Sequence, residues 1–271
     1  MNNALQTGTE LRAVALQWLI EKNAETKAQG VLALREKSDW QMDLMRQLVP
    51  LDHLPGRPEK PTLVPPQSVE KRAMRTLEGR AALIHALCHI EFNAINLALD
   101  AIWRFAKMPE QYYLDWLKVA VEEADHFLRL KSHLHFLGFD YGDFPGHDSL
   151  WEMVERTQED VLARMALVPR TLEARGLDAC PALRNKLAQA GDIEAAQILD
   201  IILRDEIGHV AIGNTWFHWL CEARGLAPLQ TFADLCETYK APKLKPPFNM
   251  EARKQAGFSE AELAYLNGEF I

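Results

Sequence analysis

Residues 204–216, RDEIGHVAIGNTW, lie in a stretch that otherwise reads as a buried helix, and they place Asp205, Glu206 and His209 together. A Glu and a His three residues apart share one helix face, so both side chains can reach one point in space. The spacing recurs in EEADHF, residues 122–127, as Glu123 and His126. With 23 Glu and 9 His in 271 residues, about one such pair is expected by chance, so a single pair carries little weight. Where the chain places the two pairs decides what they mean.

Outward from this stretch the chain reads as helix almost throughout. Residues 9–22 and 30–48 carry short helical patterns. Six prolines in residues 49–66, VPLDHLPGRPEKPTLVPP, exclude a helix there, because proline lacks the amide donor and fixes φ. From Ser68 apolar residues recur at three- and four-residue spacing as far as Lys107, with Gly79 the weak point. A second helix is predicted from Glu110 to Leu137, with Pro109 at its start and Gly138 at its end. A third covers 149–175, capped by Asp148 or Ser149 and kinked or broken near Pro169, after which RGLDACP interrupts the pattern. A short piece at 182–190 precedes the fourth long helix, Asp192 to Arg224, closed by Gly225 and Pro228. A polar, Pro-rich tail ends with a helix near 259–267. Alternating β-branched runs are nearly absent, so the fold class is all-α, built on four long helices. The expected organisation is a helical appendage and Pro-rich linker at 1–67, the bundle at 68–227, and a C-terminal extension packed on it at 228–271.

Composition narrows the function classes. A net charge of −8 argues against a general nucleic-acid coat or a binder of anionic membranes. The first 22 residues lack a basic n-region and a small-residue cleavage site and read as an amphipathic helix, not a signal peptide. No apolar run approaches the ~18 residues that cross a bilayer. Cys88, Cys180, Cys221 and Cys236 show no C-x-x-C spacing, so buried thiols in a reducing, cytoplasmic compartment are expected.

The two Glu-x-x-His pairs fall at mirrored heights. Helices joined by short connections pack antiparallel, so residues equidistant from the turn are level. Glu91 and Glu123 are centred on residue 107, within the turn FAKMPEQ, which brings Glu91, Glu123 and His126 to one level. Glu91 sits in a mostly apolar run, where an uncompensated carboxylate is costly to bury. In the second half, Glu206 and Glu173 are centred beside Gly191. A turn at DACP would instead set Glu155 or Glu159 level with Glu206; Glu173 is preferred and Glu159 is the runner-up. Four helices each giving an inward Glu, two of them with Glu-x-x-His, make the layout of a carboxylate-bridged di-iron or di-manganese site. Carboxylates neutralise and bridge two hard cations, while one imidazole per metal leaves positions open. Glu122 and Asp205, each preceding a ligand Glu, are candidates to hold the histidines' second nitrogens.

HIEFNAINLALDAIWRF (89–105), VEEADHF (121–127), LEARGLD (172–178) and DEIGHVAIG (205–213) together resemble the ferritin-like superfamily. Within it they resemble the uncharacterised bacterial domain-of-unknown-function family 455, as do the flanking PGRPEKPTLVPP and APKLKPPFN, so nearly the whole chain is covered. LEARGLD is also similar to the third-helix segment of di-iron tRNA hydroxylases, which favours Glu173. The resemblance implies a ferritin-like four-helix bundle with N- and C-terminal extensions. Its metal ligands would be Glu91, Glu123, His126, Glu173, Glu206 and His209, holding two Fe ions or, alternatively, Mn. The expected activity is an O₂-activating oxidoreductase, a hydroxylase or oxidase of a small organic molecule or an RNA, fed by an electron donor. The rival is a non-enzymatic iron-binding or storage protein. No membrane partner and a small homo-oligomer are expected.

Other residues are read as structural. His85 and His89 share a face, but His89 is turned roughly 200° from Glu91 and stays outside the ligand set. His133, His135 and His147 are expected at the surface or in loops. Trp103, Tyr112, Tyr113 and Trp116 are expected to pack around the first hairpin. Phe92, Phe127 and Ile207 flank the ligands and could line a substrate pocket. Arg57, Lys60, Lys71, Arg72 and Arg75 could make a basic patch or a solvated helix end.

Overall fold

The computed structural model describes residues 10–49, 53–70 and 72–268; residue 9 at the expected start of the first helix and Lys71 lie outside them. The described residues are helical with two isolated bridges and no strands, as the all-α expectation requires. The chain gathers into two compact units, Met1–Asp148 and Ser149–Ile271.

The first unit opens with α1 (Leu11–Ile20), whose first amides donate to the Glu10 carboxylate, and α2 (Ala24–Ala33), capped by Asn23. Of the helix expected at 30–48 only the start is helical: α2 ends at Ala33, a 3-10 turn at Leu34–Glu36 follows, and the chain then leaves helical conformation. The reason is competition for backbone groups. Leu11 N bonds Gln41 O at 2.9 Å. The buried Arg12 guanidinium takes the carbonyls of Asp43 (2.7 Å), Arg46 (2.6 Å) and Trp103 (2.8 Å). The carbonyls of Asp43 and Arg46 thereby satisfy a buried charge instead of a helix ladder.

α3 runs over Leu77–Arg104 and not from Ser68. Thr76 caps it through Gly79 N at 3.0 Å, and residues 73–76 fold over its first turn. A Cβ on Gly79 would come within 2.0 Å of Ala73 O, so the glycine that looked like a weak point marks the true start. α4 spans Glu110–Phe136 and ends, as expected, with Gly138 at φ 86°. In the turn between them Lys107 adopts φ 66°, and Tyr113 Oη donates to Phe105 O at 2.8 Å. Trp103, Tyr112, Tyr113 and Trp116 are all buried there. α1 packs on α3 and α2 on α4. Lys27 pins them: its buried Nζ donates to Leu19 O (3.2 Å), Gly56 O (2.9 Å) and Asn96 Oδ1 (2.5 Å). Burial above all lowers its pKa to about 7. Contrary to the sequence reading, α3 is long and apolar enough to cross a membrane; most of its apolar stretch is buried, the setting of a core helix.

The second unit holds α5 (Ser149–Arg156), α6 (Val161–Leu167), a π-helical segment (Val168–Glu173), α7 (Ala174–Gln189) and α8 (Ile193–Ala223). The helix expected at 149–175, kinked or broken once, is therefore three pieces. At the first break Arg164 Nη2 takes the Val154 carbonyl at the end of α5, at 2.7 Å, and Asp160 starts α6 by accepting from Leu162 N at 3.0 Å. The second surrounds Pro169 as predicted, but as a π segment in which Thr171 Oγ1 bonds Ala166 O at 2.8 Å. The interruption expected at RGLDACP is absent, for α7 runs through Pro181. Proline there cannot donate to the carbonyl four residues back. That carbonyl, Leu177 O, accepts from Asn249 Nδ2 at 3.2 Å instead. The tail adds α9 (Pro228–Thr238) and α10 (Met250–Gln255), both missed, before α11 (Glu260–Leu266). Pro228 at the first helical position with Leu229, Phe232 and Leu235 behind it was the overlooked signal for α9. All four cysteines are free thiols; Cys88, Cys180 and Cys221 are buried and Cys236 is half-buried.

Candidate metal centre

In the first unit the α3–α4 hairpin sets its own register, with Cys88 Sγ lying 3.7 Å from Phe127 O. That register places Glu91 of α3 beside Glu123 and His126 of α4. His126 Nδ1 lies 3.3 Å from Glu123 Oε2 and 3.5 Å from Glu91 Oε2. The exposures are 3% for Glu91 and 0% for Glu123 and His126. Burial first, and then the neighbouring Glu123, push the Glu91 pKa well above the ordinary carboxylate value, with His126 offsetting part of it. One potential donor atom from each of the three lies within 4.8 Å of the others. Donors about 2.0–2.2 Å from one ion are at most about 4.4 Å apart, so a few tenths of an ångström of closure would suffice. Two buried carboxylates with an imidazole could hold a metal ion, and a cation there would relieve the strain of two like charges out of water.

In the second unit Glu206 and His209 stand one turn apart on α8, both buried, with His209 Nδ1 3.8 Å from Glu206 Oε1. Glu173, also buried, is the last residue of the π segment. The register of the α7–α8 hairpin follows from Cys180 Sγ on Leu199 O at 3.4 Å and Arg184 on Asp200 at 3.0 Å. Counting back from these two pairs, Glu173 faces the stretch of α8 between Glu206 and Ala211, which includes His209. Gly213 lets the π segment approach: a Cβ there would meet Pro169 Cβ at 2.6 Å. The hairpin turn is at 190–192, and Glu155 and Glu159 are exposed.

Around the ligand candidates the structure sorts the remaining readings. Glu122 pairs with Lys118 at 2.6 Å and Asp205 with Arg204 at 2.8 Å. His85 and His89 are buried and held: His85 Nε2 accepts from Gly142 N at 2.9 Å, and His89 binds Tyr141 Oη (2.8 Å) and His147 O (3.1 Å). Burial lowers both histidine pKa values to about 4. Phe92 and Phe127 pack against each other and against Tyr141, ring centres 5.2–5.8 Å apart. His133, expected at the surface, is buried along α4. Of the residues that could make a basic patch or a solvated helix end, Arg72 pairs with Glu70 and Glu78, and Arg57 with Asp148 at 2.7 Å. The π segment escaped the sequence reading because a single proline signals a kink, not how the helix absorbs it.

These features define an all-helical protein whose first unit carries a buried Glu/His group able to hold a metal ion. The chain belongs to the family described as Protein of unknown function (DUF455), which matches residues 19–264. It is 51% identical over 227 residues to an uncharacterized protein of Haemophilus influenzae, covering 81% of this chain and 79% of that one. No solved structure matches it.

Proposed function

We propose that the chain is a ferritin-like four-helix bundle whose two helical hairpins, α3–α4 and α7–α8, each supply half of a carboxylate-bridged two-metal centre. Glu91, Glu123 and His126 form one half; Glu173, Glu206 and His209 form the other. The observation that carries this reading is the convergence of Glu91, Glu123 and His126, three buried ionisable side chains within 4.8 Å. Burying two carboxylates side by side costs several kcal/mol unless a cation or proton compensates them. The second buried Glu-x-x-His supports a second metal position, because four carboxylates and two imidazoles suit two divalent ions.

Two ferrous ions would supply the electrons for activating O₂, with manganese the alternative. The reaction class is oxidation or hydroxylation of an organic substrate, a small molecule or an RNA, with a separate electron donor. In this reading the protein's residues hold the ions, neutralise their charge, and leave positions open for substrate. The buried Phe92 and Phe127 keep one side dry. In this reading the protein works in the cytoplasm as a small homo-oligomer.

Anaerobic reconstitution with ferrous iron tests this directly. About two metals per chain are expected on a six-ligand site, and Glu123→Ala or Glu206→Ala should sharply reduce them. Unchanged metal binding in both variants would remove the assignment.

A further inference from the structure

The second unit holds a charged cluster that the metal centre does not use. Arg170, on the π segment, and Arg253, on α10, are 1% and 0% exposed. Arg170 Nε donates to Asn214 Oδ1 at 2.6 Å and its Nη2 pairs with Glu262. Arg253 donates twice to Asp178, from Nε at 3.0 Å and from Nη2 at 2.6 Å. The Phe258 ring lies against both, 5.1 Å from the Arg170 guanidinium carbon and 5.3 Å from that of Arg253. The remaining nitrogen of each, Nη1, is buried and meets no acceptor among the described residues.

Both arginines line one cavity of about 20 Å³, together with Leu229, Phe232, Leu244 and Glu262 among others. That volume accommodates one water or one monatomic ion and excludes a phosphate or an organic acid. Glu262 has no capacity left for the two Nη1 groups. Its Oε1 accepts from Arg170 and from His218 at 3.1 Å, and its Oε2 from Ser259 N (2.9 Å) and Oγ (2.8 Å). A buried N–H without an acceptor costs about 1–3 kcal/mol, more for a charged donor. A water could accept both, but Glu262 has no lone pair left for its protons. The rest of the lining is leucine and phenylalanine apart from Tyr265, whose hydroxyl can donate to an anion as readily as it accepts from a water. A monatomic anion accepts without donating.

We propose that this cavity binds a single chloride-sized anion through Nη1 of Arg170 and Nη1 of Arg253. The anion would tie α10 to the π segment that presents Glu173. The site stands whether or not the metal reading does, since none of its residues is a proposed ligand.

The test is diffraction from crystals of the full chain soaked in sodium bromide, paired with thermal melts in chloride and in gluconate at matched ionic strength. Gluconate is too large for the cavity. The expected result is an anomalous bromide peak within contact distance of both Nη1 atoms, and a Tm that rises with chloride concentration but not with gluconate. No peak at that position overturns the proposal, and so does a peak without a chloride-specific rise in Tm.

Discussion

Gly213→Ala sets two effects of opposite sign against each other at the π segment. Alanine in a helix interior is favoured over glycine by about 1 kcal/mol, so propensity alone predicts a more stable protein. The new methyl, however, would sit 2.6 Å from Pro169 Cβ and 2.7 Å from its Cγ. Carbon atoms rest about 3.5–4.0 Å apart, so the segments must separate by roughly 1 Å. Proline is rigid, and Gly213 is deep within α8, so neither side yields by a rotamer change. Overpacking of this kind costs about 1–3 kcal/mol and outweighs the propensity gain over most of that range. Gly176→Ala is the internal control: it lies in α7 with nothing within 4 Å of its Cβ position. It should gain the propensity term alone, raising Tm by about 2–4 °C per kcal/mol. The expected pattern is a higher Tm for Gly176→Ala and a lower one for Gly213→Ala. In Gly213→Ala, metal stoichiometry should fall as well, because the displaced segment ends at Glu173. Equal stabilisation by both variants, with metal content intact, would refute the close-approach argument.

Glu173→Ala should disturb the spectrum of the metal-loaded protein while Glu159→Ala leaves it unchanged, and the reverse outcome would remove Glu173 from the ligand set. Lys27 titrates near 7 in the fold against an ordinary 10.5, so between those values the unfolded chain binds more protons. Stability should therefore rise with pH across that window, on the order of 1 kcal/mol per pH unit, and be lost as pH falls toward 7. Lys27→Met should flatten the slope in denaturant titrations, and an unaltered slope would contradict a Lys27 amine discharged by burial. Iron oxidation should stop near two ferrous ions per chain, as a two-metal site requires. Continued uptake of hundreds inside a large closed shell, read by iron titration with size measurement, would favour storage.

The sequence was most legible where local chemistry acts alone. Helical periodicity with Pro109, Gly138, Asp192 and Gly225 located α4 and α8 to within a residue or so, because caps and breakers act within one turn. The pairing of Glu91 with Glu123 and His126 was readable too. A short turn between long helices makes register arithmetic, and the turn was marked by its own residues. Reading failed where distant groups override local preference. Arg12 draws the carbonyls of Asp43 and Arg46 out of the expected helix, and the first turns expected of α3 are lost to the fold-back over Gly79. Pro181 stays inside α7 because Asn249, 68 positions away, satisfies the carbonyl it abandons.

From the sequence alone came the helical class, the repeated Glu-x-x-His and the candidate ligands, since periodicity and spacing are written residue by residue. Tertiary structure decided where α3 begins, that α7 passes through its proline, and that Glu173 ends a π segment packed against Gly213. It also decided that Arg170 and Arg253 share one cavity. Each of these depends on which remote donor, acceptor or ring arrives to compensate a locally unfavourable conformation or a buried charge, and only the folded chain brings those groups together.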